Sequence, residues 1–312
     1  MYWLLVNLCA YASLILVAFN VGSYFILQAY PSLFRSQNLR KKYGAKWAVV
    51  TGASSGIGKS LAEKLATQGI NVVLVALQEP LLDETFAAIQ SQFKDLSFRK
   101  VGVNLGKRES GYMEAIQEAT KDIDVQLLFN NAGYIVTGFF DKTTVESQMM
   151  NMECNACSAA MLTHHFIKKM LDKKLKGAVV FTSSAAYMMP APFSVMYGST
   201  KAFISAFAGS VGAEVKARGI DVCSVHPSPV ASNFYDKTHK LGAIEFFKQF
   251  TVKPEALPDA IFASIGRSAL RDLGAVCIVF RLVNKIMDSN ALFMITSSTA
   301  HTMDDYKKHI KD

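Results

Sequence analysis

From residue 46 onward, short apolar runs rich in β-branched residues alternate with stretches of helical periodicity. The runs at 47–51, 71–76, 98–104, 125–129, 177–182 and 220–225 read as strands, and 58–68, 81–93, 112–121, 145–175 and 195–218 read as helices. Strands that are continuously apolar, rather than alternating, are buried on both faces, and their alternation with helices predicts βαβ units and a parallel sheet. No internal repeat or low-complexity linker interrupts this pattern, so 46–230 is expected to form one doubly wound α/β domain. Past residue 230 the pattern loosens. Residues 231–260 read as a loop with short helices, and 258–270 as a helix. The apolar stretch 275–287, interrupted by Arg281 and Lys285, suits a last strand, a core helix or a membrane-facing amphipathic segment. The tail 304–312 is polar and is expected to fray.

Ahead of the domain the pattern is different. Residues 1–34 carry no charged side chain, and 3–29 are dominated by Leu, Val, Ala, Ile, Tyr and Phe. About 20 apolar residues cross a bilayer as a helix, so this stretch is long enough to span one with some tilt. A cleaved signal peptide would bring a basic start, a shorter apolar core and a small-residue cleavage site. None of these is clear, and an uncleaved anchor is the better reading. Arg35, Arg40, Lys41, Lys42 and Lys46 follow at once, and such charges keep their flank on the cytosolic side. The expected organisation is a membrane anchor over 1–34, a basic juxtamembrane linker over 35–45, and a catalytic domain over 46–312. Within that domain, 231–290 would cover the substrate and form the C-terminal region.

Composition adds two limits. The chain of 312 residues is 51% hydrophobic with a net charge of +8. The basic residues form no nucleic-acid motif, and a juxtamembrane cluster beside anionic lipid accounts for part of the excess. Five cysteines, an odd and small number, suit a reducing compartment. Cys154 and Cys157 stand as Cys-x-x-Cys, but no second pair and no histidine at zinc-like spacing accompanies them. They read as thiols of a helix core, with no metal site.

Two segments point to a dinucleotide. Thr51-Gly52-Ala53-Ser54-Ser55-Gly56-Ile57-Gly58 follows a strand and opens a helix. Glycines at this spacing allow a tight turn and bring backbone N–H groups to a pyrophosphate at a helix N-terminus. Asn130-Asn131-Ala132-Gly133 ends the fourth strand, and ligands of doubly wound sheets bind outside the carboxyl ends of strands. NAD usually meets an acidic residue after the second strand, whereas NADP meets a cation. Here that strand runs Val75-Ala76-Leu77-Gln78, with neither, and Lys59 lies near the glycine loop. The missing carboxylate favours NADP(H) over NAD(H).

Tyr197 and Lys201 are four apart on one helix face. A tyrosine near pKa 10 is a poor acid–base group at neutral pH, and a neighbouring ammonium favours its phenolate. Ser184, thirteen residues before Tyr197, ends a strand where its hydroxyl can meet a carbonyl oxygen.

In this order the motifs resemble the short-chain dehydrogenase/reductase family across about residues 46–232. The resemblance implies a Rossmann fold and carbonyl–alcohol chemistry by hydride transfer. It also implies a fourth catalytic residue, Asn155 in the long central helix, holding a water in a proton relay. Pro227-Ser228-Pro229-Val230-Ala231-Ser232 is similar to the family's Pro-Gly-x-Val-x-Thr, in which the Val backbone meets the nicotinamide carboxamide and the last hydroxyl the phosphates. The apolar start and the stretch 42–52 look like the branch holding the endoplasmic-reticulum 17β-hydroxysteroid dehydrogenases of types 3 and 12 and the very-long-chain 3-oxoacyl-CoA reductases. Departures are Ser54-Ser55 for Thr-Asp, Leu77 for Arg, Asn104 for the Asp near the adenine, and Ser228 and Ser232 for Gly and Thr. The family also implies a homodimer paired through the two long helices.

A lipid-like small-molecule substrate follows from the anchor. A 3-oxoacyl-CoA, a steroid and a retinoid all fit, and so does a cofactor-binding scaffold without turnover. Phe234, Tyr235, Phe246, Phe247 and Phe250 would either cover the substrate or pack on the core.

Overall fold

The computed structural model describes residues 2–235 and 242–310. Seven parallel strands form one sheet: β1 Trp47–Thr51, β2 Asn71–Ala76, β3 Phe98–Gly102, β4 Val125–Asn130, β5 Gly177–Thr182, β6 Ile220–Pro227 and β7 Leu270–Leu273. Their order is β3-β2-β1-β4-β5-β6-β7. β4, β5 and β6 are buried at every position, and they read as largely apolar runs, broken by Gln126 in β4 and by Asp221, Ser224 and His226 in β6. Along each strand the side chains alternate between two cores. Val50, Leu74, Phe129 and Val180 face α3 (Gly56–Thr67), α4 (Pro80–Gln92) and α10 (Leu257–Ser264). Val49, Val73, Leu128 and Val179 face α5 (Tyr112–Ala119), α7 (Ser158–Asp172) and α8 (Val195–Val215). The order reverses between β1 and β4, and the crevice outside their carboxyl ends is where such sheets bind ligands.

Six of the strands stand where the apolar runs placed them. The seventh, β7, falls at the end of the stretch expected to be a helix over 258–270. α10 stops at Ser264, and Gly266 turns the chain with φ +76°. β7 carries buried Arg271 and Asp272, so it has no apolar signature. The single central helix expected over 145–175 is two helices, α6 (Val145–Met152) and α7, joined by a π-helical turn at Glu153–Cys157. Cys154 and Cys157 lie in that turn, both half-buried, with Cys154 packed against the second core.

The stretch 275–287 is a helix, α11 (Ala275–Ile286), followed by α12 (Ser289–Thr299). The tail expected to fray forms α13 (Asp304–His309), held because Asp305 accepts from the Gly242 N–H at 2.7 Å at the start of α9 (Gly242–Lys248). The tail's last two residues lie outside the described residues.

The stretch 35–45 is built into the domain rather than forming a linker. It contains α2 (Leu39–Tyr43), whose Leu39 and Tyr43 belong to a hydrophobic core. Lys42 pairs with Asp221 at 3.1 Å, and Arg40 donates to the Gly69 carbonyl at 2.8 Å.

The N-terminal helix α1 (Tyr2–Ala29) is long and apolar enough to cross a membrane, with mean hydropathy 2.1 over its most apolar window. Only its last turns touch the domain. The Tyr24 hydroxyl donates to Asp272 at 3.1 Å, Gln28 donates to the Asp272 carbonyl, and Arg271 donates to the Gln28 carbonyl.

Candidate active site

The glycine loop leaves β1 through Gly52 (φ +65°) and enters α3 through Gly56 (φ +54°). Both angles lie in the left-handed region that side chains rarely adopt. A Cβ on Gly52 would stand 2.9 Å from the Ala132 Cα, and one on Gly58 would overlap the Gly52 carbonyl and the Asn131 amide. Gly56 lies under Ser232, 3.2 Å from where its own Cβ would be. Ser55 occupies the N-cap of α3, but its side chain caps nothing, which leaves the helix's first N–H groups facing the crevice for a ligand. The Ser54 carbonyl is held by Thr85 at 2.7 Å. Ile57 packs on the adjacent core.

Thr51 locks this loop to the next. Its hydroxyl accepts from the N–H groups of Asn131 and Ala132, each at 3.0 Å. The Asn131 amide donates to the Thr51 carbonyl at 3.1 Å, and Thr182 donates to Asn131 Oδ1 at 3.1 Å. Thr51 thus positions both cofactor motifs, a role its place at the head of the glycine motif only hints at. Asn104 turns its side chain inward, where Oδ1 accepts from the Gly106 N–H at 2.9 Å. Lys59 pairs with Glu63 at 3.9 Å on α3, so that cation is already engaged on its own helix.

Gly133, Asn155 and Lys201 converge. A Cβ on Gly133 would lie 3.1 Å from Asn155 Oδ1 and 3.2 Å from Lys201 Nζ. Asn155 is fully buried in the π turn. Its Oδ1 accepts from the Tyr134 N–H at 3.0 Å and its Nδ2 donates to the Tyr134 carbonyl at 2.8 Å. Lys201 donates to the Thr182 carbonyl at 2.9 Å. Below it, the Lys201 carbonyl accepts from Ser183 and Ser205, and Ser205 meets His226 Nε2 at 3.1 Å. His226 in turn contacts Asp272 through Nδ1 at 2.9 Å. This buried polar chain has no spacing that a sequence could reveal.

Tyr197 is 8% exposed and hydrogen-bonded to Ser184. Ser184 also caps a short 3-10 turn by accepting from the Ala186 N–H at 3.2 Å. Burial first, then Tyr235, raise the Tyr197 hydroxyl above its ordinary value, while the bond to Ser184 pulls it down. The expected lowering by Lys201 is not part of this balance. The ammonium is turned to the Thr182 carbonyl and lies 5.6 Å from the centre of the Tyr197 ring. Burial brings Lys201 itself down to about 8.

Phe234 lies against Tyr197, with ring centres 5.8 Å apart, and Tyr235 packs on Phe234. Phe246, Phe247 and Phe250 form a separate aromatic group, in which Phe247 meets Phe280 of α11 at 5.5 Å. Two of the five aromatics therefore cover Tyr197 and three pack elsewhere. Tyr306 of the tail packs edge-on against Phe139 at 5.1 Å, beyond any sequence signal. Pro227 ends β6, and Val230 bridges to Val252. Ser228 accepts from the Cys277 N–H at 3.3 Å and so ties this segment to α11.

Comparison with known proteins agrees with this layout. The family described as short chain dehydrogenase matches residues 46–240. Hydroxysteroid dehydrogenase-like protein 1 of Gallus gallus is 32% identical over 74% of this chain and 69% of its own length. Very-long-chain 3-oxoacyl-CoA reductase-B of Danio rerio is 36% identical over 58% of each. A Homo sapiens relative, at 32% over 65% of this chain and 61% of its own, is named inactive hydroxysteroid dehydrogenase-like protein 1. In structure, a 7beta-hydroxysteroid dehydrogenase superposes with a TM-score of 0.74 at 23% identity, covering 84% of this chain and all of its own. With the sheet order, the glycine loop and the Tyr197–Lys201 helix in agreement, the chain belongs to the short chain dehydrogenase family of oxidoreductases.

Proposed function

We propose that this protein is an NADP(H)-dependent oxidoreductase that interconverts a ketone and a secondary alcohol on a lipid-like substrate. It works at the endoplasmic-reticulum membrane, with its catalytic domain in the cytosol. The observation that carries this reading is the meeting of Gly133, Asn155 and Lys201 beside the Ser184–Tyr197 pair. It lies at the carboxyl ends of the central strands, where a doubly wound sheet binds its ligand.

A nicotinamide cofactor fits the glycine loop on steric grounds, because Gly58 has no room for a Cβ and the α3 N-terminus is uncapped. Gly52, Ser54, Ser55, Gly56, Ile57 and Gly58 would hold its pyrophosphate, with Ser232 above. Asn104 would stand near the adenine, Asn131, Ala132 and Gly133 along its length, Tyr197 and Lys201 at the nicotinamide ribose, and Pro227 and Val230 at the carboxamide. Bound there, it supplies or takes up the hydride. The preference for NADP(H) rests on the absence of a carboxylate after β2, since Lys59 is engaged by Glu63.

In the reducing direction, Tyr197 gives its proton to the oxygen that becomes an alkoxide, and Ser184 donates a hydrogen bond to the same atom. Burial makes the Tyr197 phenolate costly, so a protonated Lys201 is needed to stabilise it. With its own value near 8, Lys201 carries that charge at neutral pH. Both ends of the Asn155 amide are committed to Tyr134. A relay water at this turn would therefore be held by a group other than the Asn155 amide.

The names of the relatives support a long-chain 3-oxoacyl-CoA or a steroid as substrate. The apolar helix and the basic residues after it support a cytosolic catalytic domain. Val145, Met149 and Met152 form an exposed stripe on α6, with exposed Phe203 on α8, and these support a homodimer paired through those helices. A second reading, cofactor binding without turnover, draws on the relative named inactive.

The test is oxidation of NADPH and NADH by membrane-embedded protein against a long-chain 3-oxoacyl-CoA, a 17-ketosteroid and retinal, with Tyr197→Phe alongside. Tyr197-dependent turnover with NADPH is the expected result, with a loss of about 10²–10⁴-fold in the variant. Cofactor binding with no turnover of any substrate would favour the second reading.

A further inference from the structure

We propose that α12, with the end of α11, is a membrane-docking face that lies in the headgroup region of the bilayer crossed by α1. This rests on the reading of α1 as a membrane anchor, and its first support is the way α1 meets α11. Gln28 and Tyr24 of α1 bond to Asp272 just before α11 begins, and Lys285 near the end of α11 donates to Asn20 at 2.6 Å. The two helices therefore run antiparallel, and α11 climbs α1 as far as Asn20.

Asn20 is also where α1 leaves the protein. Among the described residues, every position from Tyr2 to Asn20 except Asn7 is exposed, and burial begins at Val21. Those 19 residues rise about 28 Å, close to the ~30 Å hydrocarbon thickness of a bilayer. The cytosolic boundary of the hydrocarbon thus falls level with Lys285, whose long side chain suits the interface. Ile286 (65% exposed), Met287 and α12 come next in the chain.

α12 is built for such a place. It is an exposed helix, yet Ser289–Thr299 contains no Asp, Glu, Lys or Arg. Leu292 is its buried contact with the domain. Met294 (62% exposed) points directly away from Leu292, flanked by Phe293 (53%) and Ile295 (50%), with Ser297 and Ser298 between them. Three adjacent large apolar side chains on an uncharged exposed helix are costly in water and favourable against lipid. A bilayer would cover this apolar group, which follows in the chain from the helix that packs along α1. An active site whose substrate-side segment, through Ser228 and Cys277, is tied to α11 would then open next to the lipid from which its substrate comes.

The experiment uses the full chain in phosphatidylcholine vesicles whose acyl chains are brominated near their glycerol ends, where bromine quenches only nearby indoles. Trp47→Phe leaves Trp3 as the reporter of α1. Trp3→Phe leaves Trp47, at the opening of β1, as the remote reference. Trp3→Phe/Trp47→Phe/Met294→Trp reports α12 from a position exposed enough not to disturb folding. The expected result is strong quenching and a blue-shifted emission for Trp3 and for Met294→Trp, and no quenching for Trp47. Quenching of Trp3 without quenching at Met294→Trp would leave the anchor standing and overturn the docking face. A blue shift at position 294 without quenching would mean that a protein surface covers α12, and would also overturn it. Absence of quenching at Trp3 would refute the anchor itself, and with it this proposal.

Discussion

Tyr24 of the apolar N-terminal helix donates its hydroxyl hydrogen to Asp272 at 3.1 Å, joining positions 248 apart in the chain. The same carboxylate takes two hydrogen bonds from Arg281, each at 2.9 Å, and contacts His226 at 2.9 Å. Burial alone would raise the Asp272 carboxyl, but the hydrogen bonds from His226 and Arg281 outweigh it and hold it at about 2. A carboxyl lowered on folding adds stability above its unfolded value near 4, and that stability is lost as pH falls from about 4 toward about 2. Asp272→Ala leaves Arg281 buried without its partner and should cost about 3–5 kcal/mol, whereas Tyr24→Phe should cost only about 1 kcal/mol. Thermal unfolding in detergent checks both, and an unchanged Asp272→Ala midpoint would contradict the assignment.

Lys201 makes the opposite kind of prediction. Burial lowers it to about 8 in the cofactor-free protein, while an unfolded lysine holds its proton to about 10.4. Between these values the unfolded chain binds more protons, so this group makes stability rise with pH across that window. Unfolding midpoints of the cofactor-free protein should show the rise, and Lys201→Met should flatten it. An identical slope in the variant would mean that Lys201 is not the group titrating.

At Gly58 the demand is steric. An added Cβ would overlap the Gly52 carbonyl and the Asn131 amide, so Gly58→Ala should shift the glycine loop and cost about 1–3 kcal/mol. Cofactor binding followed by NADPH fluorescence should be lost even where the variant stays folded. Binding that survives intact would place the dinucleotide elsewhere.

Leu77 follows β2 and is exposed. A carboxylate there would meet the ribose end of the cofactor. Leu77→Asp should therefore weaken NADPH relative to NADH by about tenfold, ~1.4 kcal/mol. Equal effects on both cofactors in a binding titration would argue against an NADP(H) preference set at this position.

The exposed stripe of Met149 with Val145 and Met152 on α6, together with Phe203 on α8, is the surface on which the homodimer reading depends. Met149→Asp/Phe203→Asp should convert a dimer into a monomer in sedimentation of the detergent-solubilised protein. A wild type that already sediments as a monomer would end that reading.

Five of the six strands legible in the chain, β1, β2, β4, β5 and β6, are buried on both faces, and a doubly buried strand needs a largely apolar run, which is a local property; β3, at the sheet edge, buries only Val101. The glycine loop, the Asn131–Gly133 turn and the Tyr197–Lys201 pair were legible for a related reason. Backbone approach and i,i+4 geometry depend on neighbours in sequence, and the crevice between β1 and β4 then brings these motifs together.

The tertiary structure decided the rest. β7 carries Arg271 and Asp272 into the interior, which is tolerable only because Gln28, Tyr24, His226 and Arg281 arrive from other elements to satisfy them. The same holds for α2, whose Lys42 and Tyr43 converge on Asp221, and for the tail, ordered by Asp305 at the start of α9. The sequence by itself determined the apolar framework and the residues of the site, because hydrophobic burial and backbone turns are written in local pattern. The edge strand, the docked linker, the tail and the seat of the N-terminal helix depend on buried polar groups finding partners up to 248 positions away, and local periodicity carries no trace of such pairings.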